Sequence, residues 1–291
     1  MIWLGEKRGY LPDWITQLWV KLTGKKVKFK DYEWILGPTG GPRVIADEFI
    51  YRISKDLSLD VVRGEPERGL VEDFKDYNLS EEDFQRLDPE VIRFYAETSS
   101  YDFEIWSKLC KFWEPGGRLL ASIFSKRLKQ LYVPLVPLVT AFGLDSEVIK
   151  LNQPQTGETI YTVWFRKLVR TGEIIYSGTY GLCQPPNEPT ACLKVIFPLP
   201  NGSATVILKP KVNDDGSFTL LSQGMKIGDA GFYFLLKKDN ETGWLRYVKA
   251  MHESLHVYTD KKGVLRTDHI LNMWGSKFLH LHYKMLRKGG T

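Results

Sequence analysis

From about residue 145 onward the chain is cut by turn signals at short, nearly regular intervals, and this spacing limits the fold more than any other feature. Pro200-Asn-Gly202, Asp214-Asp-Gly216, Asp239-Asn-Glu-Thr-Gly243, Asp260-Lys-Lys-Gly263 and Trp274-Gly-Ser-Lys277 each interrupt runs rich in β-branched and aromatic residues. Such runs, bounded by Gly, Asn, Asp and Pro, read as strands joined by hairpins. They fall near 146–152, 159–169, 173–183, 192–199, 203–212, 217–223, 231–238, 244–259, 264–273 and 277–286. A sheet of this many strands rarely stays open and flat. The C-terminal half is therefore expected as a large antiparallel sheet that curls into a barrel, splits into a sandwich or wraps around a helix.

Before residue 145 the texture is different. Pro12 opens a run in which Trp14, Ile15, Leu18, Trp19 and Leu22 recur at helical spacing until Gly24 stops it. Further helices are expected at about 43–57, 81–87, 89–98, 102–113 and 117–131, with Ser80 and Asp88 as caps. The prolines of Val133-Pro-Leu-Val-Pro-Leu-Val139 exclude a helix interior or a central strand, which leaves an extended crossover. The expected fold is α+β: a mainly helical region, 1–144, packed on a curled antiparallel meander, 145–291, with one continuous globular unit as the alternative to two domains.

Composition bounds the function classes. The chain is 43% hydrophobic and 13% aromatic, which provides for a packed core and argues against disorder. No apolar run reaches the roughly 18 residues that span a bilayer, and no signal-peptide pattern opens the chain, so the expectation is a soluble, cytoplasmic protein. The net charge of +5 conceals an acidic stretch over 31–110 between basic flanks. Charge of that kind suits an acidic segment lying beside a basic sheet better than nucleic acid, for which no recognition motif is present. Cys183 and Cys192 flank a loop and are expected as reduced thiols. The motif of a phosphate loop is incomplete at Gly37-Pro-Thr-Gly-Gly-Pro42, which reads as a turn.

Three constellations carry chemistry. All five histidines, His252, His256, His269, His280 and His282, fall in the last forty residues. With four-residue hairpin loops at 260–263 and 274–277, alternation places them on one face, where His269, His280 and His282 converge as ligands for a divalent metal such as zinc. The competing reading leaves that face in solvent, because Leu279, Leu281 and Tyr283 form the opposite, apolar side. A second group is Tyr176 and Tyr180 around Gly178, with Trp164 and Arg166 on the neighbouring strand, an aromatic pocket with one fixed positive charge. A third is Arg93, Tyr95 and Glu97 on a helix, either an ion pair or one wall of the same pocket.

The sequence expectation is a protein that binds a small, mostly apolar molecule between the sheet and its covering helices. A metal-dependent enzyme using the C-terminal histidines is the alternative. The Trp-rich N-terminal helix, followed by Lys25, Lys26, Lys28 and Lys30, offers a third: contact with a protein or a membrane surface. Oligomeric state is not readable from the sequence.

Overall fold

The computed structural model describes residues 11–41, 45–109 and 144–289. In chain order it contains α1 (Leu11–Thr23), β1 (Lys25–Lys28), α2 (Glu48–Leu57), β2 (Asp60–Val62), α3 (Glu81–Arg86), α4 (Pro89–Ala96) and β3 (Tyr101–Leu109). There follow β4 (Leu144–Asn152), β5 (Thr159–Leu168), β6 (Ile174–Cys183), β7 (Cys192–Leu199), β8 (Gly202–Val212), β9 (Phe218–Leu221) and β10 (Gly231–Lys237). The last four are β11 (Thr242–Tyr247), β12 (Met251–Thr259), β13 (Leu265–Met273) and β14 (Ser276–Arg287).

Ten of these strands close into an antiparallel barrel in the order β8-β7-β6-β5-β4-β3-β14-β13-β12-β9, with β9 returning to β8. The strand β8 has two partners on one edge. Its first half, Gly202–Ile207, pairs with β10, and its second, from Lys209 to Val212, pairs with β9. The β10–β11 hairpin and β1 thus form a flap that leaves the ring at β8, while β2 adds to β4. Closure pairs β3 with β14, from Tyr101↔Arg287 to Leu109↔Leu279.

Alternation fills the barrel. On β14 the residues Leu279, Leu281, Tyr283 and Met285 are buried, and on β8 Val206 and Leu208 join the same core. One end is plugged by the segment carrying α3 and α4. Leu70, Phe74, Tyr77, Phe94 and Tyr95 pack in one cluster with the barrel interior. Ser80 and Asp88 do cap these helices, accepting from the backbone N–H of Asp83 at 3.1 Å and of Glu90 at 2.9 Å. At Gly69 an added Cβ would meet the carbonyl oxygens of Tyr95 and Ala96, so only glycine lets the chain cross α4 here. Outside the wall, α2 covers Ile149, Leu151, Val163 and Phe165.

The expected mainly helical N-terminal part is corrected by this architecture. Among the described residues there are four short helices, and residues 102–109, read as helix, form β3 inside the ring. Tyr101, Phe103 and Ile105 are buried while Asp102, Glu104 and Trp106 are exposed, a two-residue period that the aromatic density obscured. The expected strand 244–259 is two strands broken at 248–250. The helix expected at 117–131 and the crossover at 133–139 lie outside the described residues. Helix α1 packs on the flap through Val20 and through Trp19, whose ring lies 5.7 Å from Phe234, yet it leaves Leu11, Ile15 and Leu22 exposed. Cys183 and Cys192 stand opposite one another in register as free thiols, and burial pushes Cys183 up to about 11.

Candidate functional site: the barrel lumen

Between the plug and the far end of the barrel lies a cavity of about 150 Å³. Leu70, Phe94 and Tyr95 border it at the plug, and Phe197, Phe232, Met251 and Leu279 elsewhere, so the lining is overwhelmingly apolar. Few polar side chains reach it. Arg166, Glu253, Thr267 and His269 do, together with the phenols of Tyr176, Tyr180 and Tyr283.

Each of these is fixed by its surroundings. Trp164 donates from Nε1 to Ser146 Oγ at 2.8 Å, which sets the indole against the lumen. Gly178 clears the space beside it: an added Cβ would lie 3.0 Å from the Tyr176 hydroxyl and 3.2 Å from Phe197. The Tyr176 ring can therefore lean along β6, and its hydroxyl meets that of Tyr180 at 2.5 Å. Burial pushes the phenols of Tyr176, Tyr180 and Tyr283 upward, and the Arg166 charge offsets part of that push. All three therefore stay protonated at neutral pH and remain hydrogen-bond donors. Glu253 and His269 satisfy each other, Oε2 to Nε2 at 2.8 Å.

Arg166 is different. It is 5% exposed, and its guanidinium carbon lies 4.1 Å from the Trp164 ring centre, 4.3 Å from Tyr176 and 5.7 Å from Tyr283. Aromatic faces attract a cation, at about 0.5–2 kcal/mol each, but they cannot accept its in-plane N–H bonds well. Its Nε and Nη1 have no hydrogen-bond partner among the described residues. A buried donor left this way costs about 1–3 kcal/mol, and more when charged.

The structure brings together Trp164, Arg166, Tyr176, Tyr180 and Tyr95 on the lumen wall. Arg93 and Glu97 it places elsewhere. Arg93 pairs with Glu90 rather than with Glu97, and Glu97 binds Arg287 at 2.9 Å, tying the plug to β14. Glu253, His269 and Tyr283 are lumen residues that were not assigned to the pocket from sequence. Alternation held the signal: Glu253 shares a side of β12 with the apolar Leu255 and Val257, an uncommon place for a lone carboxylate.

The histidines do not share a face. The first hairpin spans 260–264, so that Thr259 faces Leu265, and the second turns on Trp274 and Gly275 alone, with a bulge between Leu271 and Asn272. His269 consequently stands beside Leu255 and Leu281 in the lumen, while His280 faces Ile270 and His282 faces Asp268 on the outer wall. There both donate to one carboxylate oxygen, Asp268 Oδ1, His280 from Nε2 and His282 from Nδ1, at 2.9 Å each. The metal triad of His269, His280 and His282 is thus split across the wall. Among the described residues no group of three His, Cys, Asp or Glu side chains is placed to hold a metal ion.

The chain is 26% identical over 258 residues to an uncharacterized membrane protein, YndJ, of Bacillus subtilis (strain 168). The match covers 84% of this chain and 42% of that protein, so the chain spans less than half of its relative's length. No family model matches the chain, and no solved structure does. The expectation of a soluble, cytoplasmic protein is overturned by this relative, which is described as a membrane protein. Among the described residues no helix is long and apolar enough to cross a membrane.

Proposed function

We propose that the barrel holds one small, mostly apolar molecule in its lumen. The observation that carries this reading is the unfilled apolar cavity of about 150 Å³ beneath the aromatic plug. An empty space of that size forgoes about 4 kcal/mol of packing at roughly 24 cal/mol per Å³. That is a large share of the 5–15 kcal/mol by which a domain is typically stable. The volume matches apolar cavities that take a benzene-sized guest and falls below the roughly 300–1,000 Å³ of drug-sized sites. The ligand is accordingly a single ring or a short alkyl chain.

The wall's polarity supports a lumen site over a lipid-facing barrel. Membrane barrels turn apolar side chains outward and polar ones inward. Here β12, β13, β14 and β3 present His256, Asp268, His280, His282 and Glu104 outward and keep Leu255, Leu281 and Ile105 within. The test is a cavity-filling variant. Val195→Phe should abolish binding of 1-hexanol, followed by calorimetry, without lowering thermal stability. Unchanged binding would place the ligand elsewhere.

A second reading rests on α1. Leu11, Ile15, Trp19 and Leu22 form an exposed apolar stripe at helical spacing, next to Lys21, Lys25 and Lys26. Tryptophan and lysine in that arrangement suit the surface of an anionic bilayer, a setting compatible with a relative described as a membrane protein. Flotation with phosphatidylserine vesicles tests it: Ile15→Glu with Leu22→Glu should release the chain, and unaltered flotation would exclude α1 as the contact.

A further inference from the structure

We infer that the lumen ligand is a carboxylic acid in its anionic form, with its carboxylate on Arg166 and its tail in the apolar cavity. This rests on the lumen being a ligand site and names the chemistry of the molecule held there. Four observations meet at one side chain. Arg166 borders the cavity, it is nineteen-twentieths buried, its faces are stacked on Trp164 and Tyr176, and two of its nitrogens lack an acceptor.

The surroundings of Arg166 then select the ligand. Glu253 is held by His269 at 2.8 Å, and no ion pair joins a carboxylate to Arg166 among the described residues. The buried guanidinium therefore has no carboxylate in direct contact, and a bound monoanion supplies one. Stacking occupies the guanidinium faces, so a ligand meets it in its plane, where the N–H groups of Nε and Nη1 lack acceptors and a carboxylate oxygen can accept from either. A phosphate monoester fits less well, because it brings a charge of about −1.5 to −2 against a single cation. The phenols of Tyr176, Tyr180 and Tyr283 stay protonated and add no competing negative charge, and one proton of the Tyr176–Tyr180 pair is used in the bond between them.

Calorimetric titration near neutral pH with hexanoate, 1-hexanol and hexyl phosphate separates the possibilities. Hexanoate should bind about tenfold or more tighter than 1-hexanol, the effect of a hydrogen-bonded charge in a dry site. It should also exceed hexyl phosphate. The preference for hexanoate over 1-hexanol should vanish in Arg166→Met and survive in part in Arg166→Lys. Equal affinity for hexanoate and 1-hexanol in the unaltered chain would overturn the anion assignment while leaving the apolar site standing. Tighter binding of hexyl phosphate would overturn the carboxylate, and binding of none of the three would remove the lumen site and this inference together. The unaltered chain decides the main point, so the result does not depend on the variants folding.

Discussion

Replacing Phe218 by alanine tests whether plug and barrel fold as one body. Phe218 is fully buried at the start of β9, and its ring centre lies 5.1 Å from Phe74, 5.6 Å from Tyr77 and 5.6 Å from Tyr95. Phe→Ala in a core costs about 3–5 kcal/mol from lost transfer energy and the cavity left behind. Each edge-to-face ring pair adds about 0.5–1.5 kcal/mol beyond area, although the three are not independent. The expected loss is thus near the upper end, about 5 kcal/mol. Guanidinium unfolding followed by near- and far-ultraviolet circular dichroism should show one transition moved to lower denaturant with an unchanged slope. As a control, Trp106→Ala on the outer wall, where the side chain is 46% exposed, should cost about 1 kcal/mol or less. A Phe218→Ala loss below about 2 kcal/mol, or a second transition for the plug, would refute the single-core reasoning.

Gly69→Ala should destabilise the plug strongly, since its Cβ would meet fixed backbone carbonyls of Tyr95 and Ala96; a melting temperature equal to the parent's would show that the crossing yields. Acid stability should depend on Asp260, whose carboxylate accepts from Arg266 Nε at 2.6 Å and from the N–H groups of Lys262 and Val264. The Arg266 hydrogen bond and these backbone donors hold it down at about 2, so its contribution is present above its ordinary value near 3.8 and is lost as pH falls toward 2. Thermal melts of Asp260→Asn should therefore fall less steeply across that interval than those of the parent chain, and parallel curves would refute the assignment.

Much of the barrel is visible in the sequence because turn residues bound its strands, and β4 to β10 lie close to where Gly, Pro and Asn place them. Strand β3 is less visible. Its Tyr101, Phe103 and Ile105 alternate as a strand should, but an aromatic-rich segment among helices also fits a 3.6-residue period over a short window. The histidine cluster shows how little error a sheet tolerates. Assuming a loop of 260–263 instead of 260–264 shifts the register by one residue and turns every side chain of β13 to the other face relative to β12. The alternation within β14 pointed to the right answer, since Leu279, Leu281 and Tyr283 had to face the core. The lumen pocket was legible in part because Tyr176, Gly178 and Tyr180 lie two apart on one strand. Glu253 and Tyr283 come from strands more than seventy residues further on, and only closure of the ring brings them there.

That closure also sets a timetable. Strand β3 finds its partner in β14, so residues 101–109 wait for 276–287 before the wall is complete. During synthesis the growing chain carries an unsatisfied edge at β3, and a second one moves along with each newly added strand of the ring until β14 is made. No fragment that stops short of β14 has a sealed lumen, and none can be expected to protect its apolar interior from neighbours. The lumen exists as a sealed space only once β14 has paired with β3.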